Sequence, residues 1–292
     1  MRARATFVCL VLAGLGMLPS TGCIVIGVGW DWPFGGSRVW TEPVTERIQI
    51  DAADLEGLET RTHNGSITFN GQPVGTAEAY VTVTKKAGGR TQADAEAALE
   101  AIDVYVKPAG NNTRRIGWKW KGIKRSNWGA RVSFDIKAPG NIRFDGQTHN
   151  GPIEVSGVTG DVRVATHNGA VKVESSDGKL HAETHNGPVT ATYAGEDITL
   201  VTHNGRVTAD LIRCGAMSGR ITTHNGSIEV VVGEATSANL TCRTHNGAIK
   251  CNVPLNESLF SRRRLTGTIG TGEGNLDVIT HNGSVNIRKA SG

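Results

Sequence analysis

One tetrapeptide, Thr-His-Asn-Gly, occurs eight times in this 292-residue chain and limits its fold more than any other feature. The copies begin at Thr62, Thr148, Thr166, Thr184, Thr202, Thr223, Thr244 and Thr280. From His149 to His245 the histidines are 18, 18, 18, 21 and 21 residues apart. Self-similarity at such a period is the signature of a solenoid, in which each repeat is one coil stacked on the next.

The flanks of the motif specify strands. Val162 and Val164, Leu180 and Ala182, and Ile198 and Leu200 precede it at alternate positions; Val171 and Val173, Ile228 and Val230, and Val285 and Ile287 follow it. Apolar residues at every second position mean a strand with one buried face. Carried into the motif, this alternation turns Thr and Asn inward and His outward. After Gly the apolar positions change parity, so the chain must corner or bulge at Asn-Gly. Gly is then expected to supply a positive φ or a tight corner. Thr is expected to pass its hydroxyl to a neighbour. Inward asparagines at Asn150, Asn168, Asn186, Asn204, Asn225, Asn246 and Asn282 are expected to form a buried structural ladder between coils. Pro152 and Pro188 mark strand starts. Asn-Gly also favours hairpins, but a repeat in constant phase requires parallel stacking of equivalent strands.

The histidines have no such structural reason. Stacked coils place His149, His167, His185, His203, His224, His245 and His281 in a row about 4.8 Å apart, the spacing of adjacent strands. Three readings stay open: a solvated stack copied along with the motif, a binding face for a ligand, and a metal-binding ladder. Neutral imidazole is the commonest metal ligand, but no Cys, Asp or Glu at fixed spacing completes a tetrahedral set. No cofactor is implied. Stacked rings should resist protonation, because neighbouring like charges repel. A second outward column, three residues after each Gly, pairs Glu154 with Lys172 and Glu229 with Lys250 and so supports the register.

Composition agrees with thin coils and many corners: aromatics are 5% and glycines number 38. All six tryptophans precede residue 140, which marks a boundary. Arg2 and Arg4 ahead of the apolar run 5–18 read as a signal peptide over 1–22. Residues 18–23, Leu-Pro-Ser-Thr-Gly-Cys, resemble a bacterial lipobox with Cys23 as the lipidated residue, and 23–44 read as a lipid-attached tether. These features predict export to the cell envelope and attachment to a membrane through a lipid anchor. Without residues 1–22 the formal charge is 29 − 27 = +2, which implies no nucleic-acid partner. Cys214, Cys242 and Cys251 leave disulfide pairing open, with burial as small hydrophobes the default.

Residues 45–142 form the expected cap region, which includes the first repeat. A strand covers 77–85, Thr91 and Asp94 open an alanine-rich helix, and strands follow at 102–106 and 130–136. The basic, Trp-rich segment 107–129 reads as a twisted hairpin whose Lys and Arg lie along apolar surface. This order leads into Val132-Ser-Phe-Asp-Ile-Lys-Ala-Pro139 and then Asn-Gly-punctuated repeats such as Gly151-Pro-Ile-Glu-Val155 and Gly160-Asp-Val-Arg-Val164. The ordered whole, over roughly 45–290, resembles the domain-of-unknown-function family of candidate adhesins, β-strand-repeat proteins of bacterial envelopes. That resemblance implies an all-β fold: a parallel β-helix-like solenoid over 143–292 with an N-terminal β-rich cap containing one short helix. It implies no catalytic residues.

The chain departs from the family pattern by placing His in nearly every motif. The stretch Leu265–Ile269 reads as a coil with Gly267 but no His. The functional expectation is a non-enzymatic envelope lipoprotein whose His-bearing surface binds an envelope protein or glycan. The alternatives are a metal-binding His ladder and a polysaccharide-active β-helix enzyme. Glycoside hydrolysis needs two facing carboxylates, whereas the outward acids Glu154, Glu229 and Asp277 fall on different coils. The last coil, ending at Ile287 before Arg288 and Lys289, reads as the end of the stack. It is either guarded by its basic residues or available for self-association with another subunit.

Overall fold

A computed structural model describes residues 38–211 and 215–290. The segment read as a signal peptide, Cys23, the part of the expected tether up to residue 37 and Cys214 lie outside the described residues. Two twelve-stranded sheets, largely parallel, carry the fold. Each coil sends one strand to each sheet. The strand before the corner ends in Thr-His-Asn, as in Val162–Asn168, and the strand after the corner begins just past Gly, as in Val171–Ser176. Equivalent residues pair between coils: Thr166 with Thr184, Asn168 with Asn186, and Ile153 with Val171. The Asn-Gly dipeptides therefore turn corners between sheets, and hairpins do not form there.

The inward faces of the two sheets meet in a continuous apolar core. Ile153, Val171, Val189, Val207, Ile228 and Val285 form one of its rows, and Val162, Leu180, Ile198 and Leu276 another, all essentially shielded from water. Such burial removes most of each side chain from water and is worth roughly 1.5–3 kcal/mol per residue before ordering costs. Phe69 and Phe144, with ring centroids 4.4 Å apart, are buried in the N-terminal part of this core. Tyr193 is buried farther along, with its hydroxyl bonded to Gly178 O and Asp197 O.

The first motif belongs to the stack itself, because strand Gly57–Arg61 pairs with Arg143–Asn150 and Ile67–Gln72 pairs with Ile153–Val158. The residues between them close the N-terminal end. Strands Glu78–Gly89 and Gly129–Pro139 extend one sheet, and the antiparallel pair Ile102–Pro108 and Thr113–Trp120 extends the other. Helix Gln92–Glu100 begins where expected, with Thr91 Oγ1 accepting from Asp94 N. The hairpin expected within 107–129 instead pairs Thr113–Trp120 with the preceding strand Ile102–Pro108, and Trp118, Trp120 and Trp128 pack in series.

The C-terminal end corrects the sequence reading. Strand Asn275–Asn282 lies between Ser218–Asn225 and Ala238–Asn246, so the last coil in sequence is interior in space. Its second strand, Val285–Lys289, is paired on both sides. Val285–Lys289 is therefore not an edge strand, and Ile249–Cys251 ends that sheet. Arg288 and Lys289 instead engage Glu229 and Glu234 at 2.9 Å. The 36 residues between His245 and His281 equal two periods of 18, which made Leu265–Ile269 look like a coil. That stretch is in fact part of an antiparallel hairpin, Asn256–Ser261 with Arg264–Ile269, laid on Ala238–Asn246. The expected Glu229–Lys250 neighbours are likewise separated by Asn286, whereas Glu154 and Lys172 do pair.

The motif glycines also act differently from expectation. Their main role is close approach between coils, with φ secondary. A Cβ on Gly187 would lie 2.1 Å from Gly169 O, and the corresponding distances at Gly169, Gly205, Gly226, Gly247 and Gly283 are 1.9–2.0 Å. Gly187→Ala should therefore destabilise the protein by about 1–3 kcal/mol through forced backbone shift. Gly215→Ala, at a site with nothing within 4 Å of the added carbon, should stay within about 0.5 kcal/mol of the parent. Denaturant unfolding of the two variants checks this.

Candidate functional site

The corner row is built from three interlocking columns. From Thr148 onward each motif Thr is buried, and its Oγ1 donates to a motif glycine carbonyl of the adjacent coil at 2.8–3.0 Å. In the first coil Thr62 donates to Val132 O. Each Asn Nδ2 from Asn150 onward donates to an Asn Oδ1 on the neighbouring coil at 2.6–2.9 Å. The ladder exists, but it is exposed, contrary to the inward placement that strict alternation predicts. The strand begins its corner one residue early, so His and Asn both face water while only Thr keeps the inward phase.

All eight motif histidines lie on this exposed rim in one unbroken column. In spatial order they run His63, His149, His167, His185, His203, His224, His281, His245, with ring centroids 4.6–4.9 Å apart and planes within 15° of parallel. Among the described residues, the imidazoles have ring contacts with one another and no side-chain hydrogen bonds. Partial desolvation within the stack, then the charges of His185 and His149, hold His167 below the ordinary imidazole pKa.

This geometry is poorly suited to a shared metal ion. Two imidazole nitrogens bonding one zinc at about 2.0–2.1 Å are at most about 4.2 Å apart. Parallel rings 4.6–4.9 Å apart exceed that, and their lone pairs point sideways in parallel. Among the described residues no group of three His, Cys, Asp or Glu is placed to hold an ion.

The outward acids are on separate coils and face cations. Glu229 bonds Arg288 at 2.9 Å, Asp277 approaches Arg220 at 3.7 Å, and Glu154 lies beside Lys172. His181, the one histidine outside the motif, approaches Glu183 at 3.6 Å. It borders a shallow depression of about 560 Å³ where Asp145, Asp161, Arg163 and Lys179 mix both signs of charge. Cys242 and Cys251 are free thiols that flank one motif. Burial pushes Cys242 up to about 12, which leaves it an inert core residue.

One feature at the rim escapes sequence reasoning. The turn carrying Arg262, Arg263 and Arg264 sits over the corner of the last coil in the stack: Arg263 O accepts from Thr244 N and Arg262 O from Ile249 N. Three consecutive arginines are visible in the sequence, but only the hairpin topology places them at the end of the histidine column.

The family model described as Toastrack DUF4097 matches residues 45–288. The chain belongs to this family. Solved structures similar to this toastrack protein include a candidate cell adhesion protein from Clostridium sporogenes, at 12% identity and TM-score 0.39, covering 85% of this chain and 100% of the other. Candidate adhesins from Bacteroides fragilis and Parabacteroides distasonis match at 13% and 12% identity, each with TM-score 0.30, covering 85% of this chain and 97% of theirs. A search of curated proteins gives no match. Against the toastrack frame, the continuous histidine rim is the feature of this chain that calls for a functional account.

The depressed pKa of His167 sets the sign of a pH effect. Unfolded imidazoles titrate near about 6.5, so as pH falls the unfolded chain binds protons before the folded one. Stability from this group is present above about pH 6.5 and is lost as pH falls through the folded value. NMR titration should give His167 a pKa below about 6.5. The Tm difference between about pH 8 and pH 5.5 should shrink in His167→Gln.

Proposed function

We propose that this chain is a non-enzymatic cell-envelope lipoprotein, adhesin-like in the broad sense of its relatives' names. In this reading Cys23 carries the lipid anchor, and the His–Asn rim is the face that binds an envelope glycan or protein. The observation that carries the reading is the single exposed column of eight imidazoles. Thr, Asn and Gly of each motif are accounted for by contacts between coils. Among the described residues the outward ring makes no side-chain hydrogen bond, yet it recurs in all eight copies. A rim of aromatic, hydrogen-bonding rings at a fixed pitch suits a ligand that is itself extended. The signal-like segment and Cys23 support a location where such ligands occur.

Two measurements test the reading. Expressed from its full sequence in a bacterial host, the protein should sediment with membranes, and Cys23→Ser should release it to the soluble fraction. The released Cys23→Ser protein should bind at least one purified envelope polymer or envelope protein. Replacing His167, His185, His203 and His224 together with Gln should weaken that binding by about tenfold or more, about 1.4 kcal/mol. Membrane association that survives Cys23→Ser, or binding indifferent to the four substitutions, contradicts the proposal.

A further inference from the structure

We propose that the ligand of the histidine rim is a linear polyanion, an acidic glycan or phosphate-bearing polymer, laid along the column when the imidazoles are protonated. This rests on the reading of the rim as the binding face and names its ligand class.

The shape is that of a track. Seven centroid steps give a column about 33 Å long and one ring wide. An extended polymer can contact it at every step, and a small ligand can use only a fraction of it.

The charges beside the track are one-sided. Among the eight positions two residues before each His, the charged residues are Arg61, Glu183 and Arg243, and Glu183 is engaged by His181 at 3.6 Å. Among the eight positions directly after each Gly, the charged residue is Arg206. One end of the column meets the exposed Arg262, Arg263 and Arg264 turn. At the other end, past Gly117 on the paired strand, comes exposed Lys119, 3.5 Å from Asp103. The next rows outward are mixed. Glu59, Asp145 and Asp277 stand with Arg163 and Arg220 on one sheet, and Glu154 and Glu229 stand with Lys172 and Lys250 on the other. The rows nearest the rings thus hold three arginines against one glutamate, Glu183, which His181 approaches, and are otherwise uncharged.

Protonation then changes the rim from a neutral stack to a line of like charges. Neighbouring imidazolium ions repel, so protons go first to alternate rings. An anion lying along the column removes that repulsion and draws further protons onto it. Binding and proton uptake are therefore linked, and each must strengthen the other. Arginine forks at the column's end hold carboxylate or phosphate groups at any pH and fix where the polymer starts.

The test uses the full chain with Cys23→Ser, titrated calorimetrically with polygalacturonate, with long-chain polyphosphate and with neutral dextran. Runs at about pH 5.5 and pH 7.5, in buffers of different ionisation enthalpy, report proton uptake directly. The expected result is binding of at least one polyanion about tenfold or more tighter at the lower pH, with net proton uptake and no binding of dextran. Which polymer binds separates a carboxylate from a phosphate source. The combined variant His167→Gln, His185→Gln, His203→Gln and His224→Gln should lose the pH dependence while remaining folded by circular dichroism. The combined variant Arg262→Gln, Arg263→Gln and Arg264→Gln should bind more weakly at both pH values. Affinity that is equal at the two pH values, binding without proton uptake, or pH dependence that survives the four His substitutions overturns the inference. If the rim binds a neutral glycan or a protein without pH dependence, the polyanion inference fails and the binding-face reading stands. If substituting the rim histidines alters no binding at any pH, both fail.

Discussion

The structure depends on one close contact, repeated at every corner. From Gly151 onward a motif glycine lies against the glycine carbonyl of the adjacent coil so closely that a Cβ would come within 1.9–2.1 Å of that oxygen, and Gly65 lies against Val132 O in the same way. The same carbonyl accepts the hydroxyl of a buried Thr at 2.8–3.0 Å. Sterics and hydrogen bonding thereby lock adjacent coils at one height and in one register. A slip by one residue would break the carbonyl contact and turn the apolar rows outward. The Asn ladder adds a second line of bonds beside the first, each net worth roughly 1 kcal/mol or less at an exposed site.

Once the corners are locked, everything on the rim is periodic whether or not it contributes to stability. The ring spacing in the column is the strand spacing of the sheets, imposed by the backbone and passed to the side chain. A parallel solenoid can therefore turn one codon's choice into a linear array. Here the array consists of groups that change charge between about pH 5 and 8, on a border from which acids are largely absent. The rim can thus act as a surface whose charge is set by its surroundings, while the core beneath stays apolar and indifferent to pH.

Much of this was legible in the sequence. The parallel coils, the corner at Asn-Gly and the outward His row follow from period and alternation alone, and the helix start follows from the Thr91–Asp94 capping pattern. Other features were not legible, for identifiable reasons. The Asn column is exposed because the corner begins before Asn, and period-2 alternation carries no information about where a strand starts to bend. The glycines are needed for contact between coils, which a single repeat cannot reveal. The hairpin over Asn256–Ile269 looked like a missing coil because the 36 residues from His245 to His281 happen to equal two periods of 18. The arginine turn became part of the rim only through that hairpin's fold.

The insertion of the last coil has the widest consequence, since it decides whether the histidine column is continuous. The coil of His281 seats between those of His224 and His245 through the same Thr and Asn bonds that join the other corners. Paired cysteines on the outward row report the order directly, since partners on adjacent strands fall within the span a disulfide allows. With Cys242 and Cys251 replaced by Ala, oxidation followed by peptide mapping should show Thr222→Cys joined to Ile279→Cys, and Ile279→Cys joined to Arg243→Cys. The pair Thr222→Cys and Arg243→Cys should stay reduced. A disulfide between positions 222 and 243, with none between 222 and 279, would mean that the coils stack in chain order and would contradict the column described here.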